Sequence, residues 1–167
     1  MSAADDCNES CFSGLKPQKH HKRQELCLTR AQYRKGRRLT AVKVYTINDE
    51  SRYLLLQKVP SIKLEDEITK LCRKYGPLEF AKKAVDYPDL QRFTDAFVVK
   101  YKYLQNAVYA KKRLDDLNFM GENLHVCYLP ELETVDETKS KLQERESFVE
   151  MKLTKIEMFS SKRRKTD

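Results

Sequence analysis

The stretch Thr94-Asp-Ala-Phe-Val-Val-Lys-Tyr101 decides how this chain folds. It is mostly apolar, and its valines and aromatic residues favour a β-strand. Successive side chains point to opposite faces of a strand, so Phe97 and Tyr101 share one face. Ala96 and Val98 lie on the other face, which carries no aromatic ring. We therefore predict a central strand with a core side and a smooth opposite side.

Turn residues and periodic apolar patterns place further elements on both sides of this strand. An apolar run ends at Pro60, a helical pattern ends at Gly76-Pro77, and a last short strand ends at Pro130, because these residues interrupt regular structure. The predicted elements are a strand over 53–59, a helix over 64–75, strands over 78–85 and 93–101, a helix over 104–117 and a strand over 124–128.

The order of these elements is β-α-β-β-α-β, which predicts an antiparallel sheet backed by two helices. The expected fold class is α+β, of the RNA-recognition-motif (RRM) or ferredoxin-like type. The alternating, β-rich segment 41–47 predicts an extra N-terminal strand. The capping-box pattern Thr134-Val-Asp-Glu137 predicts a C-terminal helix.

These predictions divide the chain into five parts. Residues 1–24 are polar and are expected to form a disordered tail. The remaining parts are a basic arm with the extra strand over 25–52, the RRM domain over 53–130, the C-terminal helix over 131–153 and a basic tail over 154–167.

Composition narrows the class of protein. Of the 167 residues, 35% are charged and 40% are hydrophobic, which is enough for one core. No apolar run is long enough to cross a membrane, and the N-terminus has no signal-peptide pattern. The five scattered cysteines, an odd number, are typical of free thiols in a reducing compartment. We expect a protein of the cytosol or nucleus.

No pattern of catalytic residues is visible in the sequence. The chain has neither a Gly-rich phosphate loop nor a Ser/His/Asp arrangement, so we expect neither an enzyme nor a cofactor. Cys7 and Cys11 could join His20 and His21 in a zinc site. The second cysteine pair or compact histidine spacing of known zinc modules is missing, so we predict no metal site.

The positive charge is concentrated in one segment. The net charge is +8, yet residues 16–43 alone hold ten Lys or Arg against a single acidic residue, Glu25. A polyanion such as RNA would meet this segment first. The alternative interpretation is a solvated or partner-facing basic segment. The predicted RNA-contacting residues are Arg30, Tyr33, Arg34, Lys35, Arg37, Arg38 and Lys43.

The predicted sheet lacks the usual RRM means of holding RNA. RRM domains stack bases on aromatic rings of the first and third strands, and each stacked base contributes about 1–3 kcal/mol. The corresponding positions here are Leu55, Ala96 and Val98. An apolar sheet face is unusual in water. We therefore expect this face to bind a partner protein or to be covered by the helix that follows Thr134.

The C-terminal helix carries a narrow apolar stripe. Val135, Leu142, Val149 and Ile156 are spaced seven residues apart. The stripe is consistent with a solvated helix that packs one edge on its own domain, or with a helix that binds a partner. The sequence Lys162-Arg-Arg-Lys165 is a weak match to a nuclear-import signal.

Several segments together resemble the RNA-binding protein 48 family, and the likeness runs from about residue 27 to residue 152. The resemblance implies a nuclear RRM protein of pre-mRNA splicing in the minor (U12-type) spliceosome. It also implies an armadillo-repeat protein as partner and a place near the capped 5′ end of the U6-type small nuclear RNA of that spliceosome. The segments are Thr29-Arg-Ala-Gln-Tyr-Arg-Lys-Gly-Arg-Arg38, Ala41-Val-Lys-Val-Tyr-Thr-Ile-Asn48, Tyr53-Leu-Leu-Leu-Gln57 and His125-Val-Cys-Tyr-Leu-Pro-Glu-Leu-Glu-Thr-Val-Asp-Glu-Thr138.

The leading hypothesis is a non-enzymatic RNA-binding splicing factor. Its basic N-terminal arm would hold small nuclear RNA, and its RRM body would bind a partner protein. The alternative is an RRM-like protein-interaction module without direct RNA binding. Domains of that kind often carry an Arg-x-Phe signal after the second helix, and the corresponding loop here reads Asn118-Phe-Met120, a partial match.

Overall fold

A computed structural model describes residues 11–29, 31–34, 36 and 39–163. Its helices and strands, in chain order, are β1 (Cys11–Phe12), β2 (Tyr53–Pro60), α1 (Glu65–Arg73), β3 (Leu78–Ala84), β4 (Thr94–Tyr101), α2 (Leu104–Leu114), β5 (Asn118–Phe119), β6 (Glu122–Asn123), β7 (His125–Tyr128) and α3 (Val135–Arg163). The chain divides after Glu131 into two compact units, and α3 belongs to the second.

The main sheet has the strand order β1-β3-β4-β2-β7. All neighbours are antiparallel except β1, which pairs in parallel with β3. The predicted β-α-β-β-α-β order is confirmed by β2, α1, β3, β4, α2 and β7. Strand β4, formed by Thr94–Tyr101, is central and pairs on both sides. Strands β5 and β6 form a small separate hairpin between α2 and β7.

One face of the sheet packs against α1 and α2. Phe97 and Tyr101 of β4 lie on this face with Leu54 of β2, and all three are buried. Ile68 of α1 and Leu114 of α2 complete the core from the helix side. Burial of this apolar surface is the main force that holds the domain together.

The core also fixes the end of α1. The Tyr101 hydroxyl donates a hydrogen bond of 2.8 Å to the carbonyl oxygen of Cys72. Gly76, in the turn that follows α1, has φ near +152°. A Cβ atom at Gly76 would lie 2.2 Å from the side-chain nitrogen of Asn106, and that nitrogen donates to the carbonyl oxygen of Tyr75 at 2.7 Å. The turn therefore requires glycine at position 76, because its φ is positive and because a Cβ atom would overlap the Asn106 side chain.

The extra N-terminal strand lies elsewhere than the sequence pattern indicated. Segment 41–47 forms no strand, and its one bridge joins Ala41 to Leu26. Val42 and Val44 are exposed, whereas Tyr45 packs against the core. The added strand is β1, inside the segment expected to be disordered. Residues 11–24 have a defined path because the backbone of β1 pairs with Lys83 and Ala84 of β3.

The second unit contains the predicted C-terminal helix. The capping box at its start is formed: Thr134 N–H donates to the Glu137 carboxylate at 3.0 Å, and Glu137 N–H donates to the Thr134 hydroxyl oxygen at 3.3 Å. The helix continues to Arg163, past the boundary expected at residue 153. Each apolar side chain of the predicted stripe is at least 43% exposed. No helix within the described residues is long and apolar enough to span a membrane.

Candidate nucleic-acid interface

A segment near the N-terminus crosses the sheet on the face opposite the helices. We call residues 13–21 the strap. It begins after β1 at one edge of the sheet and reaches β7 at the other edge. There the carbonyl oxygen of His21 accepts hydrogen bonds from His125 Nε2 at 2.8 Å and from Gln57 Nε2 at 3.4 Å. Gln57 of β2 and His125 of β7 lie opposite each other in the paired strands, on the face away from the helices.

The strap explains why the ring-free face is buried. Leu55, Ala96 and Val98 are all fully buried, and Leu15 of the strap is only 6% exposed. Small apolar side chains leave room for a chain segment that aromatic rings would obstruct. The sequence predicted that something must cover this face. The strap, which the sequence analysis did not propose, lies across it, while the predicted α3 stripe remains exposed.

The strap ends in a buried contact that we call the clasp, made by His21 and Glu131. Nε2 of His21 lies 2.5 Å from a carboxylate oxygen of Glu131, and the His21 side chain is 1% exposed. The backbone N–H of Gln18 donates to Nδ1 of His21 at 3.2 Å, and the Tyr87 hydroxyl lies 3.1 Å from the same atom. Nδ1 is therefore an acceptor, and Nε2 carries the proton that it donates to Glu131.

The charge of the Glu131 carboxylate is favoured by this arrangement. Burial alone would raise its pKa, but the hydrogen bond from His21 and the backbone N–H of Glu131 lower it below its ordinary value. His20 also contacts this carboxylate, at 3.1 Å, from an exposed position. The clasp thus joins two parts of the chain that are 110 residues apart.

The clasp residues include three potential metal ligands. Ligand atoms of His20, His21 and Glu131 all lie within 4.8 Å of one another. A histidine that binds a metal through Nε2 normally keeps its proton on Nδ1 and donates it to an acceptor. At His21, Nδ1 instead faces the N–H of Gln18. The geometry therefore suits a neutral, hydrogen-bonded histidine better than a metal ligand. Cys7, which the sequence suggested as a further ligand, lies outside the described residues.

Residues 22–43, which we call the arm loop, leave the sheet after the clasp and return to it. Their two ends are joined by the bridge between Leu26 and Ala41 and by a hydrogen bond from Cys27 N–H to the carbonyl oxygen of Thr40 at 3.3 Å.

Ion pairs tie both ends of the arm loop to Asp115 and Asp116, the two residues that follow α2. Arg23 contacts Asp116 at 2.8 Å. Lys43 contacts both Asp115 and Asp116, at 2.6 and 2.7 Å.

Asp115 is the buried centre of this anchor. Burial alone would raise its pKa, but contacts with His125, Lys111, Lys43 and the Val126 backbone N–H lower it far below the ordinary value. Lys111 Nζ lies 3.0 Å from the Asp115 carboxylate. Removing one cation would leave the carboxylate only partly compensated, so the anchor behaves as a unit.

The predicted RNA-contacting residues fall into three groups. Tyr33 lies in the 3-10 turn Gln32–Arg34 of the arm loop and is 74% exposed. Arg34 belongs to the same turn. Lys43 lies apart from them, at the base of the loop, where its ammonium group pairs with two carboxylates. The remaining four predicted residues, Arg30, Lys35, Arg37 and Arg38, lie outside the described residues.

Two features of the structure were not predicted from the sequence. A cavity of about 240 Å³ lies between the base of the arm loop and the β7 edge of the sheet, with Arg23, Lys43, Tyr45, Asp116 and Tyr128 among its lining residues. No sequence pattern brings these residues together.

The second feature is a pair of rings at the end of the sheet face away from the strap. Tyr53 and Phe80 have centroids 6.2 Å apart, and Lys100 Nζ lies 5.0 Å from the Tyr53 ring. Tyr53 lies two residues before Leu55 in the same strand, so the alternation of side chains could have placed its ring on the same face.

Comparisons with known proteins give the family. No family model matches the chain. RNA-binding protein 48 from Danio rerio is 46% identical over 142 residues, which cover 85% of this chain and 39% of the relative. The Homo sapiens protein of the same name is 47% identical over 130 residues, or 78% of this chain and 35% of the relative. The chain thus spans well under half of these relatives.

Solved structures of RRM domains align with about half of the chain. The Pes4 RRM3 structure is 20% identical, with a TM-score of 0.43, and covers 50% of this chain and 98% of that one. The structure of the Rna15 RRM with bound RNA is also 20% identical, with a TM-score of 0.42, and covers 57% of this chain and 98% of that one. From the identity to the curated relatives over most of its length, the chain belongs to the RNA-binding protein 48 family.

Proposed function

We propose that this chain is a non-enzymatic RNA-binding protein that holds single-stranded RNA mainly through the arm loop. The observation that carries the proposal is the contrast between two surfaces. The positions that RRM domains use for stacking, Leu55, Ala96 and Val98, carry no rings and are buried, and the strap crosses their face of the sheet. The arm loop, by contrast, bears the densest positive charge in the sequence and is anchored at its base.

The anchored base makes the arm loop more effective than a free basic tail. A flexible segment loses conformational entropy when it binds, and this loss subtracts from the free energy of binding. The bridge between Leu26 and Ala41 and the ion pairs of Arg23 and Lys43 hold both ends of the loop in the free protein. Arginine side chains near Tyr33 would then grip phosphates, and the exposed Tyr33 ring offers a surface for a base.

We further propose a role in pre-mRNA splicing by the minor spliceosome. Membership of the family supports this assignment, since the family resemblance implies a nuclear splicing protein. The RNA would be the U6-type small nuclear RNA near its capped 5′ end, and the partner an armadillo-repeat protein. The matched relatives are more than twice as long as this chain, so the family likeness supports the proposal only through the segment that aligns with them.

Binding of a labelled single-stranded RNA oligonucleotide across a range of salt concentrations tests the RNA-binding proposal. We expect the triple variant Arg34→Ala, Arg37→Ala, Arg38→Ala to lose most of the affinity. Each lost phosphate contact lowers the magnitude of the slope of log affinity against log salt by about 0.7. Val98→Ala, on the sealed sheet face, is the matched control and should keep the wild-type slope. A damaging Val98 change beside a harmless triple variant would place the RNA on the sheet instead.

A protein-interaction module without RNA contact is the second candidate. It is favoured by the exposed apolar side chains of α3, which include Leu153, Ile156 and Phe159, each more than half exposed. Exposed apolar clusters of this kind are typical of protein-binding surfaces. In this case the wild-type chain would fail to bind RNA even at low salt.

A further inference from the structure

We infer that the clasp between His21 and Glu131 positions the arm loop for RNA binding without touching the RNA. The inference rests on the proposed function, in which the arm loop holds the RNA. It assigns a role to two residues that neither the sequence pattern nor the RRM fold assigns.

The clasp stands at the point where the arm loop begins. His21 is the last residue of the strap, and Arg23 follows two positions later and pairs with Asp116. The imidazole of His21 makes three polar contacts, to Gln18, Tyr87 and Glu131, and its carbonyl oxygen accepts two further hydrogen bonds, from Gln57 and His125. The start of the loop is therefore fixed by contacts on both the side chain and the backbone of one residue.

The other end of the arm loop is held by contacts that do not involve the strap. Lys43 pairs with Asp115 and Asp116. Tyr45 follows it and packs edge-on against Tyr128, with ring centroids 5.2 Å apart. Loss of the clasp would therefore remove the buried contacts that precede Arg23 and loosen the start of the loop, which would keep its ion pair with Asp116 and the bridge between Leu26 and Ala41. A loop whose start is less restrained samples more conformations, and binding must then restrict them.

The clasp residues themselves are poorly placed to contact RNA. The His21 side chain is 1% exposed, and the Glu131 side chain is 25% exposed and carries a negative charge that a phosphate would avoid. An effect of these residues on RNA affinity must therefore act through the position of the loop. This distinguishes them from the arginines of the loop, whose loss removes phosphate contacts.

The test compares three clasp variants in the full chain with labelled single-stranded RNA. His21→Ala and Glu131→Ala should weaken binding ~3- to 10-fold, because a less ordered loop must be ordered on binding. The slope of log affinity against log salt should stay at the wild-type value, since no phosphate contact is lost. Glu131→Gln keeps an oxygen that can accept from His21 Nε2 and should retain most of the affinity.

Two controls separate positioning from general destabilisation. Ile68→Val in α1 lowers stability inside the core, far along the chain from the strap, and should leave RNA affinity unchanged. Hydrogen exchange at the Val85 amide, which donates to the carbonyl oxygen of Phe12 at 2.8 Å, reports whether β1, which leads into the strap, remains attached to the end of β3. We expect faster exchange there in His21→Ala than in Ile68→Val.

The outcomes separate a failure of the positioning role from a failure of the proposed function. Wild-type affinity in His21→Ala, with normal binding by the unmodified chain, would overturn the positioning role and leave the proposed function intact. A reduced salt slope in Glu131→Ala or His21→Ala would also overturn it, because the clasp would then contribute to phosphate binding directly. Failure of the unmodified chain to bind RNA would instead refute the proposed function, and the positioning role with it.

Discussion

A carboxylate oxygen of Glu131 lies 2.5 Å from Nε2 of His21, although the two residues are 110 positions apart in the chain. This contact closes the strap over the sheet and sets the start of the arm loop. It links two observations that otherwise look unrelated. The missing rings of the RRM face make room for the strap, and the strap delivers the basic segment to the β7 edge.

Truncation of Leu15 should destabilise the domain. Leu15 is nearly fully buried within the strap, so Leu15→Ala removes apolar contacts and leaves a cavity. A buried Leu→Ala change costs about 2 to 5 kcal/mol of unfolding free energy, which urea denaturation measures. Ile62→Ala is the matched control, because Ile62 is 65% exposed and its truncation should cost little. Equal effects of the two changes would mean that the strap does not pack on the sheet in solution.

The elements of the RRM unit were predictable because their signals are local. Alternation in β4, apolar spacing in α1 and the breaks at Pro60 and Pro130 each lie within a few residues of the structure they specify. The cap at Thr134 was predictable for the same reason, since a capping box is defined by residues three apart. The lack of rings at Leu55, Ala96 and Val98 was also visible, and these side chains are buried, but the strap that crosses their face is neither the C-terminal helix nor the partner protein that was expected there.

The strap and the clasp were not predictable from local patterns. Strand β1 has only two residues, inside a polar stretch that reads as disordered. His21 and Glu131 meet only because the sheet brings β7 beside the strap. The strand predicted over 41–47 was wrong for the opposite reason, since a local pattern is present there but no strand forms. The alternation of this segment favours a strand, but Tyr45 instead packs on Tyr128, and none of the strands among the described residues pairs with the segment.

A ring placed at the usual stacking position should not create an RNA site. Val98 is fully buried on the face that the strap crosses, so Val98→Phe overfills that layer. We expect a loss of about 1 to 3 kcal/mol in unfolding free energy and no gain in RNA affinity, measured by urea denaturation and by RNA binding in parallel. Val98→Ile, which adds one methylene, is the milder control. Tighter RNA binding by Val98→Phe would show that the strap leaves this face readily.

Acid should destabilise the domain through two carboxylates. Asp115 and Glu131 have ordinary pKa values of 3.8 and 4.5, and the folded protein lowers the pKa of both. Their ionised forms therefore stabilise the fold above the ordinary values, and this contribution is lost as the pH falls through them towards the lower folded values. Unfolding free energy should decline below about pH 5, as measured by urea denaturation from pH 7 to pH 3.

The variant Asp115→Asn tests whether Asp115 is a source of this loss of stability in acid. At neutral pH it should be less stable by about 3 to 5 kcal/mol, because Lys111 is left buried beside an uncharged amide. Its decline in acid should be shallower than that of the wild type, since one linked proton is removed. Asp66→Asn, at an exposed position of α1, should retain the wild-type profile. An unchanged acid slope in Asp115→Asn would exclude Asp115 as a source of the pH dependence.

Lys43 should behave differently from the arginines of the arm loop, although the sequence grouped them together. Its ammonium group lies 2.6 Å from Asp115 and 2.7 Å from Asp116, and these contacts raise its pKa despite the opposing effect of burial. A cation that is already paired twice gains little from a phosphate. Lys43→Ala should therefore leave the salt slope of RNA binding unchanged, whereas Arg34→Ala should reduce its magnitude by about 0.7. Equal losses of slope in the two variants would instead assign Lys43 a direct phosphate contact, and the anchor at Asp115 and Asp116 would then have to open when RNA binds.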